Sequence, residues 1–468
     1  MTDMELAVSI AEKVNGLGGK VYFVGGYVRD TLLNIPNKDI DIEVFGITPI
    51  QLKEVLSSVG EITEYGKSFG ILSLKDSHID ISMPRKERVT GNKHTDFKVT
   101  VDPFMSTYEA AKRRDLTINA IMQDVLTADY VDHFNGLNDI ENKIIRHVNS
   151  DTFVEDPLRV LRIAQFYARL PEFTVTKETM ELCKTIDLST LSKERVFEEL
   201  SKALLKGESS RFFEFLRDIN QLDIWFPEVK QLIGVEQHKY YHAEGDVYNH
   251  TMLVLDNICR EFRHGIRITS FVQSNILPLC LSALCHDFGK IVATNEGKDG
   301  NVHAYNHELY GAEIAEKFLT RLTNDKHIIN YVLNMVKMHM LPHQMFNHNS
   351  RAKKTNHMFF DSVDPKGLIE LAFADTEGSR VHKDFISEED INRAYDENDW
   401  LLNRYERFEN IMRKPYVTGD DLIAEGYRPS KEFTEIFKLV HKLRMAEVPK
   451  EDAICQINGE FGYLRKIS

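Results

Sequence analysis

The amino-acid sequence predicts an α+β protein with a mixed head followed by a longer helical remainder. Before about residue 146, short strand-like runs such as KVYFVGG and KDIDIEVFG alternate with helical stretches such as PIQLKEVLSSVG. From about Asp156 onward, apolar residues recur at helical spacing, as in PLRVLRIAQFYARL and IINYVLNMVKMH. A chain of 468 residues is long enough for about three domains. We therefore expect one mixed domain and several helical ones.

Composition and charge exclude several classes of protein. The 58 basic and 72 acidic residues give a net charge of -14, which excludes a globally basic nucleic-acid-binding surface but allows a local basic groove. The five cysteines include no C-x-x-C pair, which favours reduced thiols and a cytoplasmic protein. The longest apolar run, ILPLCLSALC, is about half the roughly 20 residues that a membrane span needs, so we expect no membrane partner.

Two glycines end the first predicted strand and precede a helix. Gly25 and Gly26 would let the backbone approach a phosphate closely, and the helix start adds unpaired N–H groups. Arg29, one turn into that helix, could face the same anion. Taken alone, the pair of glycines is more typical of a tight turn.

Carboxylates follow in the next strand. Asp39 and Asp41 are two residues apart, so in a strand both project from the same face. Two neighbouring carboxylates repel each other unless a cation separates them, and Mg²⁺ prefers such oxygen ligands. Asp80, in the later run HIDISM, could add a third carboxylate from a neighbouring strand. The alternative is a solvated strand face with alternating acids.

A further pattern, EDPLRVLR, combines a carboxylate with two arginines. Asp156, Arg159 and Arg162 are spaced three apart, which predicts one helix face. A carboxylate beside a guanidinium presents acceptors and donors that can match the edge of cytosine or adenine. The alternative is an ordinary ion pair on a solvated helix.

The helical half contains histidines and aspartates in several separate predicted helices. His286 and Asp287 are adjacent at the end of an apolar helix, and other such residues occur before and after them. A single buried histidine would more often be a core residue. Several together favour a metal centre, and mixed imidazole and carboxylate ligands suit a transition metal.

Together and in this order, the motifs GGYVRDTLL, DID, RRDLTINAI and EDPLRVLR resemble those of the tRNA CCA-adding enzymes and bacterial poly(A) polymerases. These enzymes belong to the polymerase-β-like nucleotidyltransferase superfamily. The resemblance implies that Asp39 and Asp41 bind Mg²⁺ and that Asp80 is the third catalytic carboxylate. It also implies that Gly26 and Arg29 contact the triphosphate.

The same resemblance assigns the later motifs to nucleotide binding. It implies that Asp156, Arg159 and Arg162 act as an amino-acid template for CTP and ATP, and that Arg114 and Arg162 hold sugar and phosphates. This chain has Gln165 where many members of the family have a further arginine. Glutamine keeps hydrogen-bonding capacity but loses the charge, which leaves triphosphate affinity and base choice open at this position.

The histidine set resembles the HD phosphohydrolase domain that is fused to some bacterial CCA-adding enzymes. The resemblance implies a transition metal such as Ni²⁺ or Mn²⁺, an activated water that attacks a phosphoester, for instance a 2′,3′-cyclic phosphate, and Lys290 as a phosphate-binding residue. The implied metal ligands are His250, His286, Asp287 and Asp375. His307 and His339 would bind a second metal or the substrate.

The resemblance implies four domains and one main function. The four domains are a nucleotidyltransferase head over 1–145, a helical neck with the nucleotide-recognition helix over 146–228, an HD phosphohydrolase domain over 229–400, and a C-terminal helical tRNA-contacting segment over 401–468. The predicted function is template-independent addition of C, C and A to tRNA 3′ ends from CTP and ATP, together with HD phosphohydrolase activity. The alternatives are a bacterial poly(A) polymerase, and mainly an HD phosphohydrolase with an RNA-binding head.

An acidic protein that binds tRNA must confine its basic residues to one surface. The chain offers candidates for such a local patch, and recognition of RNA shape would suffice for binding. The candidates are Arg85, Lys86, Arg88, Lys112, Arg113, Arg159 and Arg162.

Overall fold

The structure, a computed structural model, describes residues 2–65, 71–89, 97–238, 242–264, 275–298, 300–379 and 388–465. It divides into two compact units, Met1–Trp225 and Phe226–Ser468. The first unit contains a mixed sheet and the second is mostly helical, which confirms the predicted α+β class. The finer boundaries expected at 145, 228 and 400 stay predictions.

A seven-stranded sheet organises the first unit, with strand order β3-β4-β5-β2-β1-β8-β9. Strands β2 and β5 pair in parallel, and the other neighbours in the sheet are antiparallel. The strands are β1 (Lys20–Val24), β2 (Ile40–Phe45), β3 (Ile62–Tyr65), β4 (Ile71–Leu74), β5 (Ile79–Ser82), β6 (Arg85–Val89), β7 (Phe97–Val101), β8 (Met122–Asp124), β9 (Tyr130–Val131), β10 (Ile144–Ile145) and β11 (Thr174–Val175).

Helices cover the sheet and then extend the first unit. Two of them begin with capping boxes, Thr2 with Glu5 and Thr48 with Gln51, in which side chain and backbone satisfy each other's hydrogen bonds. The helices are α1 (Asp3–Gly16), α2 (Gly26–Leu32), α3 (Pro49–Ser57), α4 (Thr107–Lys112), α5 (Gly136–Glu141), α6 (Ser150–Phe153), α7 (Leu158–Arg169), α8 (Lys177–Lys184), α9 (Lys193–Lys206) and α10 (Ser210–Asp218), with 3-10 turns at Thr117–Asn119 and Leu188–Thr190.

Alternation along β2 separates the core face from a polar face. Ile40, Ile42 and Val44 are buried in the core that also contains residues of α1 and α3. Because successive strand residues point to opposite faces, Asp41 and Glu43 project from the other side of the sheet. The predicted strand therefore forms, and its polar face is available for a site.

Within its described residues, the second unit consists of helices and one short hairpin. Its strands are β12 (Thr294–Glu296) and β13 (Val302–Ala304), which pair in antiparallel orientation. Its helices are α11 (Pro227–Gln231), α12 (Val247–His264), α13 (Ile276–Cys285), α14 (Lys290–Ala293), α15 (His307–Leu322), α16 (Lys326–Met338), α17 (Leu341–Asn347), α18 (Ala352–Asp361), α19 (Pro365–Gly378), α20 (Glu388–Arg413), α21 (Gly419–Ala424), α22 (Phe433–Met445) and α23 (Lys450–Phe461), with a 3-10 turn at Gly462–Leu464.

One helical stretch of the described chain, Ile276–Ala293, has the length and apolar composition of a membrane span. However, 78% of that stretch is buried inside the protein. A buried core helix passes the same test of length and composition, so this stretch is weak evidence for a membrane segment.

Gly136 provides a test of the close packing between α5 and the 3-10 turn at Thr117–Asn119. A β-carbon at this position would lie 2.2 Å from the carbonyl oxygen of Thr117 and 2.7 Å from Ile121 Cγ1. We expect Gly136→Ala to lower the free energy of unfolding by about 1–3 kcal/mol, because the added methyl group overpacks the contact. Gly16→Ala is the control, since no atom lies within 4 Å of its β-carbon. Equal stability of the two variants in urea denaturation would contradict the expectation.

Candidate functional site

Two carboxylates meet on the polar face of the sheet in the first unit, and a third lies immediately before one of the strands. Parallel pairing of β2 with β5 places Asp41 directly opposite Asp80. Asp39 is the residue immediately before β2, and its charge acts on Asp41 together with that of Asp80. Asp80 therefore lies on the strand next to Asp41, and its role as the third catalytic carboxylate stays a prediction.

Asp41 is the electrostatic centre of this cluster. Burial raises its pKa to about 6, the guanidinium of Arg114 opposes that rise, and the charges of Asp80 and Asp39 add to it. Arg114 Nη2 also lies 3.2 Å from Glu43 Oε2, two residues further along the strand. A bound divalent cation would favour the ionised form of Asp41, so the donor set fits Mg²⁺.

The glycine turn lies against the same carboxylate. Gly25 has a φ of +65°, a conformation that favours glycine, and it directly precedes α2. A β-carbon on Gly25 would lie 3.2 Å from Arg114 Nη1 and 3.6 Å from Asp41 Oδ2. A β-carbon on Gly26 would lie 4.0 Å from Asp41 Oδ2. The turn and the acids predicted to work together are thus neighbours.

Arg29 lies beside the glycine turn, where a β-carbon on Gly26 would be 3.6 Å from its Nη2, and its contact with a triphosphate stays a prediction. Its side chain is buried, and it donates to Asp30 Oδ1 from Nε at 2.9 Å and from Nη2 at 2.7 Å. Its Nη1 donates to Asn119 Oδ1 at 2.6 Å. Asp30 also accepts a hydrogen bond from Arg169 at 2.8 Å. This buried network holds the start of α2, and its carboxylate Asp30 follows Arg29 directly in the motif.

Arg162 pairs with a buried carboxylate near the start of the 3-10 turn. Its Nε donates to Asp115 Oδ2 at 2.7 Å. Although burial opposes ionisation, Arg162 and the neighbouring hydrogen bonds lower the pKa of Asp115 to about 2. Asp115 belongs to the motif RRDLTINAI, but the sequence alone predicts no role for it. The signal was present as an aspartate beside the arginine pair.

The predicted array of Asp156, Arg159 and Arg162 on one helix face is wrong for its first member. Helix α7 begins at Leu158, and Asp156 precedes Pro157. A residue before proline is disfavoured in helical conformation, which explains why the helix starts later. Asp156 instead accepts a hydrogen bond from Arg195 at 2.8 Å, whereas Arg159 donates to the backbone oxygens of Thr152 and Arg113.

The structure also shows the surroundings of Gln165 and of part of the predicted basic patch. Gln165 is buried within α7. In the predicted basic patch, Arg113 donates to the backbone oxygen of Arg85. The side chains of Lys86 and Arg88 lie outside the described residues.

In the second unit, the histidines and aspartates expected from the sequence converge on one buried centre. Four imidazoles contribute Nε2 atoms, and two carboxylates lie among them. One group of three donors consists of His250, His286 and Asp375, and a second consists of Asp287, His307 and His339. Asp287 lies between the groups, with Oδ2 3.3 Å from His286 Nε2 and Oδ1 3.3 Å from His307 Nε2.

The outer ring nitrogens fix which atoms face inward. Nδ1 of His286, His307 and His339 lies 2.7–2.8 Å from the backbone oxygen three residues earlier in each case. Because a carbonyl oxygen can only accept, these Nδ1 atoms carry hydrogens. In the neutral ring, Nε2 is then an acceptor with a lone pair, which is the tautomer that binds a metal.

Inward-facing nitrogens approach each other closely. His307 Nε2 lies 3.1 Å from His339 Nε2, and His286 Nε2 lies 3.4 Å from His250 Nε2. Two lone pairs at this distance repel unless a proton or a cation lies between them. Burial, together with His307 and His286, lowers the pKa of His339 to about 3, so protonation of this ring is disfavoured. The donor set therefore fits divalent transition metals.

Charged neighbours surround this centre and were not assigned by the sequence. Glu244 Oε1 lies 2.8 Å from His250 Nδ1 and 2.8 Å from His242 Nδ1. Burial opposes the charged form of His250, but contacts with Asp375 and Glu244 outweigh it and raise the pKa to about 9. On the other side, His343 lies 3.5 Å from Asp375 Oδ2 and 2.8 Å from Glu397 Oε1. In the sequence, the only indication of these partners is position: HAEGD, which contains Glu244, lies shortly before His250, and His343 lies shortly after His339.

Lys290 lies within the same centre, as the sequence predicts for a phosphate-binding residue. Its Nζ is 2.7 Å from Asp287 Oδ2 and donates to Gln237 Oε1 at 2.8 Å. Although burial opposes ionisation, Lys290 and the surrounding imidazoles hold the pKa of Asp287 well below its ordinary value. An ionised carboxylate between two groups of imidazole nitrogens could contribute one oxygen to each group.

Comparisons with known proteins agree with this architecture. Three family profiles match the chain: "Poly A polymerase head domain" over residues 21–146, "Probable RNA and SrmB- binding site of polymerase A" over 172–233, and "HD domain" over 247–372. A multifunctional CCA protein from Mannheimia succiniciproducens is 33% identical over 439 residues, which cover 92% of this chain and 98% of that protein.

Two solved structures share the fold at lower identity. A CCA-adding enzyme in complex with CTP has a TM-score of 0.61 at 19% identity, covering 98% of this chain and 95% of that one. The Thermotoga maritima CCA-adding enzyme complexed with tRNA has a TM-score of 0.60 at 19% identity, with the same coverage. These likenesses extend over both units of the structure.

The raised pKa of Asp41 predicts that replacing its carboxylate by a neutral group stabilises the protein, and that this gain depends on pH. Because the pKa of Asp41 is raised from 3.8 to about 6, ionisation destabilises the metal-free protein as the pH rises through that window. We expect Asp41→Asn to stabilise the metal-free protein at pH 7.5 by about 1–3 kcal/mol and to have no such effect at pH 3.5. Glu54→Gln, an exposed substitution in α3, is the control. Thermal unfolding at pH 7.5 and at pH 3.5, with and without Mg²⁺, measures the difference in stability between the two proteins. A lower stability of Asp41→Asn than of the unsubstituted metal-free protein at pH 7.5 would contradict this account.

The two donor groups of the second unit predict two metal ions. After equilibration with Mn²⁺ and removal of the excess, we expect His339→Gln to contain about one ion fewer per chain than the unsubstituted protein. Asp287→Asn is expected to lose more, because its carboxylate serves both groups. His348→Gln, at an exposed position, is the control. Elemental analysis gives the metal content, and an unchanged content in His339→Gln would rule out the second ion.

Proposed function

The chain belongs to the family of multifunctional CCA proteins, and we propose that it adds C, C and A to the 3′ ends of tRNA from CTP and ATP. The observation that carries this proposal is the meeting of Asp41 and Asp80 on paired strands beside the Gly25–Gly26 turn. Carboxylates for a metal and a glycine turn for phosphates are the two parts that nucleotidyl transfer needs in one place.

The residues divide the work of the transfer step. Asp39, Asp41 and Asp80 would hold Mg²⁺, which when bound neutralises triphosphate charge and makes the RNA 3′-hydroxyl a better nucleophile. The backbone of Gly25 and Gly26 would approach the triphosphate without steric hindrance from a side chain. Attack of the hydroxyl oxygen on the α-phosphorus forms the new phosphodiester bond, and pyrophosphate leaves on the opposite side.

Arginines near the acids would orient the nucleotide. Arg114 lies beside Gly25 and Asp41, where a guanidinium can contact a phosphate or the sugar. We assign Arg29 a positioning role, because Asp30 and Asn119 already accept its hydrogen bonds and hold the start of α2. In this proposal, Arg29 acts on the triphosphate through the turn that it supports.

Base choice is proposed to lie with the residues around α7. Arg162 and Asp156 are partly exposed, and each is paired with a side chain of opposite charge, Asp115 and Arg195 respectively. The guanidinium of Arg162 has further N–H groups besides the Nε that donates to Asp115, and the edge of cytosine or adenine could accept hydrogen bonds from them. Arg159 would act at the base of this array, where it ties α7 to the backbone of Thr152.

The second unit is proposed to hydrolyse phosphoesters in a metal-dependent reaction. Its support is the cluster of Nε2 atoms around Asp287, with Lys290 as the adjacent cation. His250, His286, Asp287 and Asp375 would hold one ion, and His307 and His339 together with Asp287 would hold another. Such ions, for example Ni²⁺ or Mn²⁺, lower the pKa of a bound water and so supply the nucleophile. Lys290 would bind a non-bridging phosphate oxygen.

The proposed partners are tRNA, CTP and ATP. Recognition would rest on the shape and backbone of the RNA, since an acidic chain offers only local positive charge. We expect the protein in the cytoplasm, where its five free cysteines stay reduced.

Separate variants in the two units test the proposed division of functions. We expect Asp41→Ala to lower incorporation of labelled CTP into tRNA lacking C, C and A by at least about 1,000-fold, while hydrolysis of bis(4-nitrophenyl) phosphate continues. Asp287→Ala is expected to do the reverse. With both CTP and ATP, products should extend by three nucleotides, measured on a sequencing gel.

Three results would contradict this assignment. A long run of added A would indicate a poly(A) polymerase. Full CTP incorporation by Asp41→Ala would remove the carboxylates from the mechanism. Loss of both activities in either variant, with the fold intact by circular dichroism, would show that the two sites are not separate.

A further inference from the structure

Glu43 is a buried carboxylate on the polar face of β2, and the proposed transfer step does not use it. It is 8% exposed and follows Asp41 by two residues, so both side chains project from the same face of the strand. Its partners in the sheet register are Tyr22 on β1 and Ser82 on β5, neither of which carries a positive charge. A buried carboxylate costs free energy unless a cation or hydrogen bonds compensate for the lost water.

Arg114 supplies that compensating charge. Its Nη2 lies 3.2 Å from Glu43 Oε2, and the side chain of Arg114 is 28% exposed, whereas that of Glu43 is 11% exposed. The other terminal nitrogen of the guanidinium lies at the glycine turn, since a β-carbon on Gly25 would be 3.2 Å from Arg114 Nη1. One end of the guanidinium is therefore held at the sheet, and the other end lies beside the turn on a side chain that a ligand can reach.

Asp41 also attracts Arg114, but a bound metal would weaken this attraction. Burial raises the pKa of Asp41, and the guanidinium of Arg114 opposes that rise, so the two groups interact. In the proposed function Asp41 is a ligand of Mg²⁺, and a divalent cation at this carboxylate would repel the guanidinium. Glu43 lies about 7 Å further along the strand, because each strand residue spans about 3.3 Å. Glu43 is then the carboxylate that keeps Arg114 at the turn.

We propose that Glu43 is a positioning residue for nucleotide binding, which holds the guanidinium of Arg114 at the Gly25–Gly26 turn so that Nη1 donates to the triphosphate. Glu43 itself contacts neither the nucleotide nor the metal. An arginine that is held in place before the ligand arrives loses less conformational freedom on binding, which strengthens binding. The inference rests on the proposed transfer function, because it takes the glycine turn as the triphosphate site. It adds that Glu43 acts only through Arg114.

The test is a double-mutant cycle on the full-length protein, with Glu43→Gln, Arg114→Gln and the double variant. Equilibrium dialysis with labelled CTP and Mg²⁺, in the absence of tRNA, measures the affinity, and titration to millimolar CTP keeps weak binding measurable. We expect about five-fold weaker binding in Glu43→Gln, because a charge-assisted hydrogen bond becomes a neutral one. In the Arg114→Gln background, the same substitution should change the affinity by less than about two-fold, because the partner is already absent.

Glu61→Gln is the matched control in the same unit. Glu61 Oε2 lies 2.8 Å from Lys75 Nζ, but the side chains of Glu61 and Lys75 are 69% and 57% exposed. Exposed ion pairs contribute little, so this variant should bind CTP as the unsubstituted protein does. Glutamine has nearly the same size as glutamate, and thermal unfolding of each variant verifies that the fold is kept.

The outcomes separate this inference from the proposed function. Unchanged CTP affinity in Glu43→Gln would overturn the inference, and so would tighter binding, because Glu43 would then compete with the triphosphate for Arg114. An equal loss with and without Arg114 would also overturn it, because Glu43 would then act on the metal or the nucleotide directly. If the cycle shows the expected coupling but the unsubstituted protein does not extend tRNA, the transfer function fails and the positioning role stands. If tRNA is extended and the KM for CTP is the same in Glu43→Gln, the transfer function stands and the inference fails.

Discussion

The parallel pairing of β2 with β5 is the constraint on which the head depends. It places two like charges, Asp41 and Asp80, opposite each other on the face away from Ile42 and Ile81, which are buried in the core. Without a cation this arrangement is unfavourable, because burial raises the pKa of Asp41 and the charges of Asp80 and Asp39 add to that rise. In the proposed function, this cluster beside the glycine turn is the place where a metal and a phosphate chain would bind.

The second unit follows the same physical logic with different donors. Helix ends direct His286, His307 and His339 inward, and each outer ring nitrogen is held by the backbone of its own chain segment. Lone pairs that would repel each other are thereby fixed at short distance. In both units, the polypeptide stabilises an arrangement of ligands that a cation completes, with oxygen donors in the first and mainly nitrogen donors in the second.

Local patterns in the sequence predict much of the fold and of the site. Contacts between residues far apart in the sequence could not be predicted in this way. Strand alternation predicted the common face of Asp39 and Asp41, and the run around Asp80 predicted a neighbouring strand. The contact of Arg29 with Asn119 joins residues 90 positions apart, and no periodicity reports it. The displaced position of Asp156 was readable from Pro157, but regular spacing was given more weight than the proline. Glu244 was missed because a carboxylate in a loop carries no signal until its histidine partners are known.

The most direct measurement is a crystal structure with Mn²⁺ and a non-hydrolysable CTP analogue, using anomalous scattering to locate the metal. We expect anomalous peaks between Asp39, Asp41 and the triphosphate, with the phosphates against Gly25 and Gly26. A triphosphate bound elsewhere, or manganese restricted to the histidines of the second unit, would contradict the central claim that these strand carboxylates hold the catalytic metal.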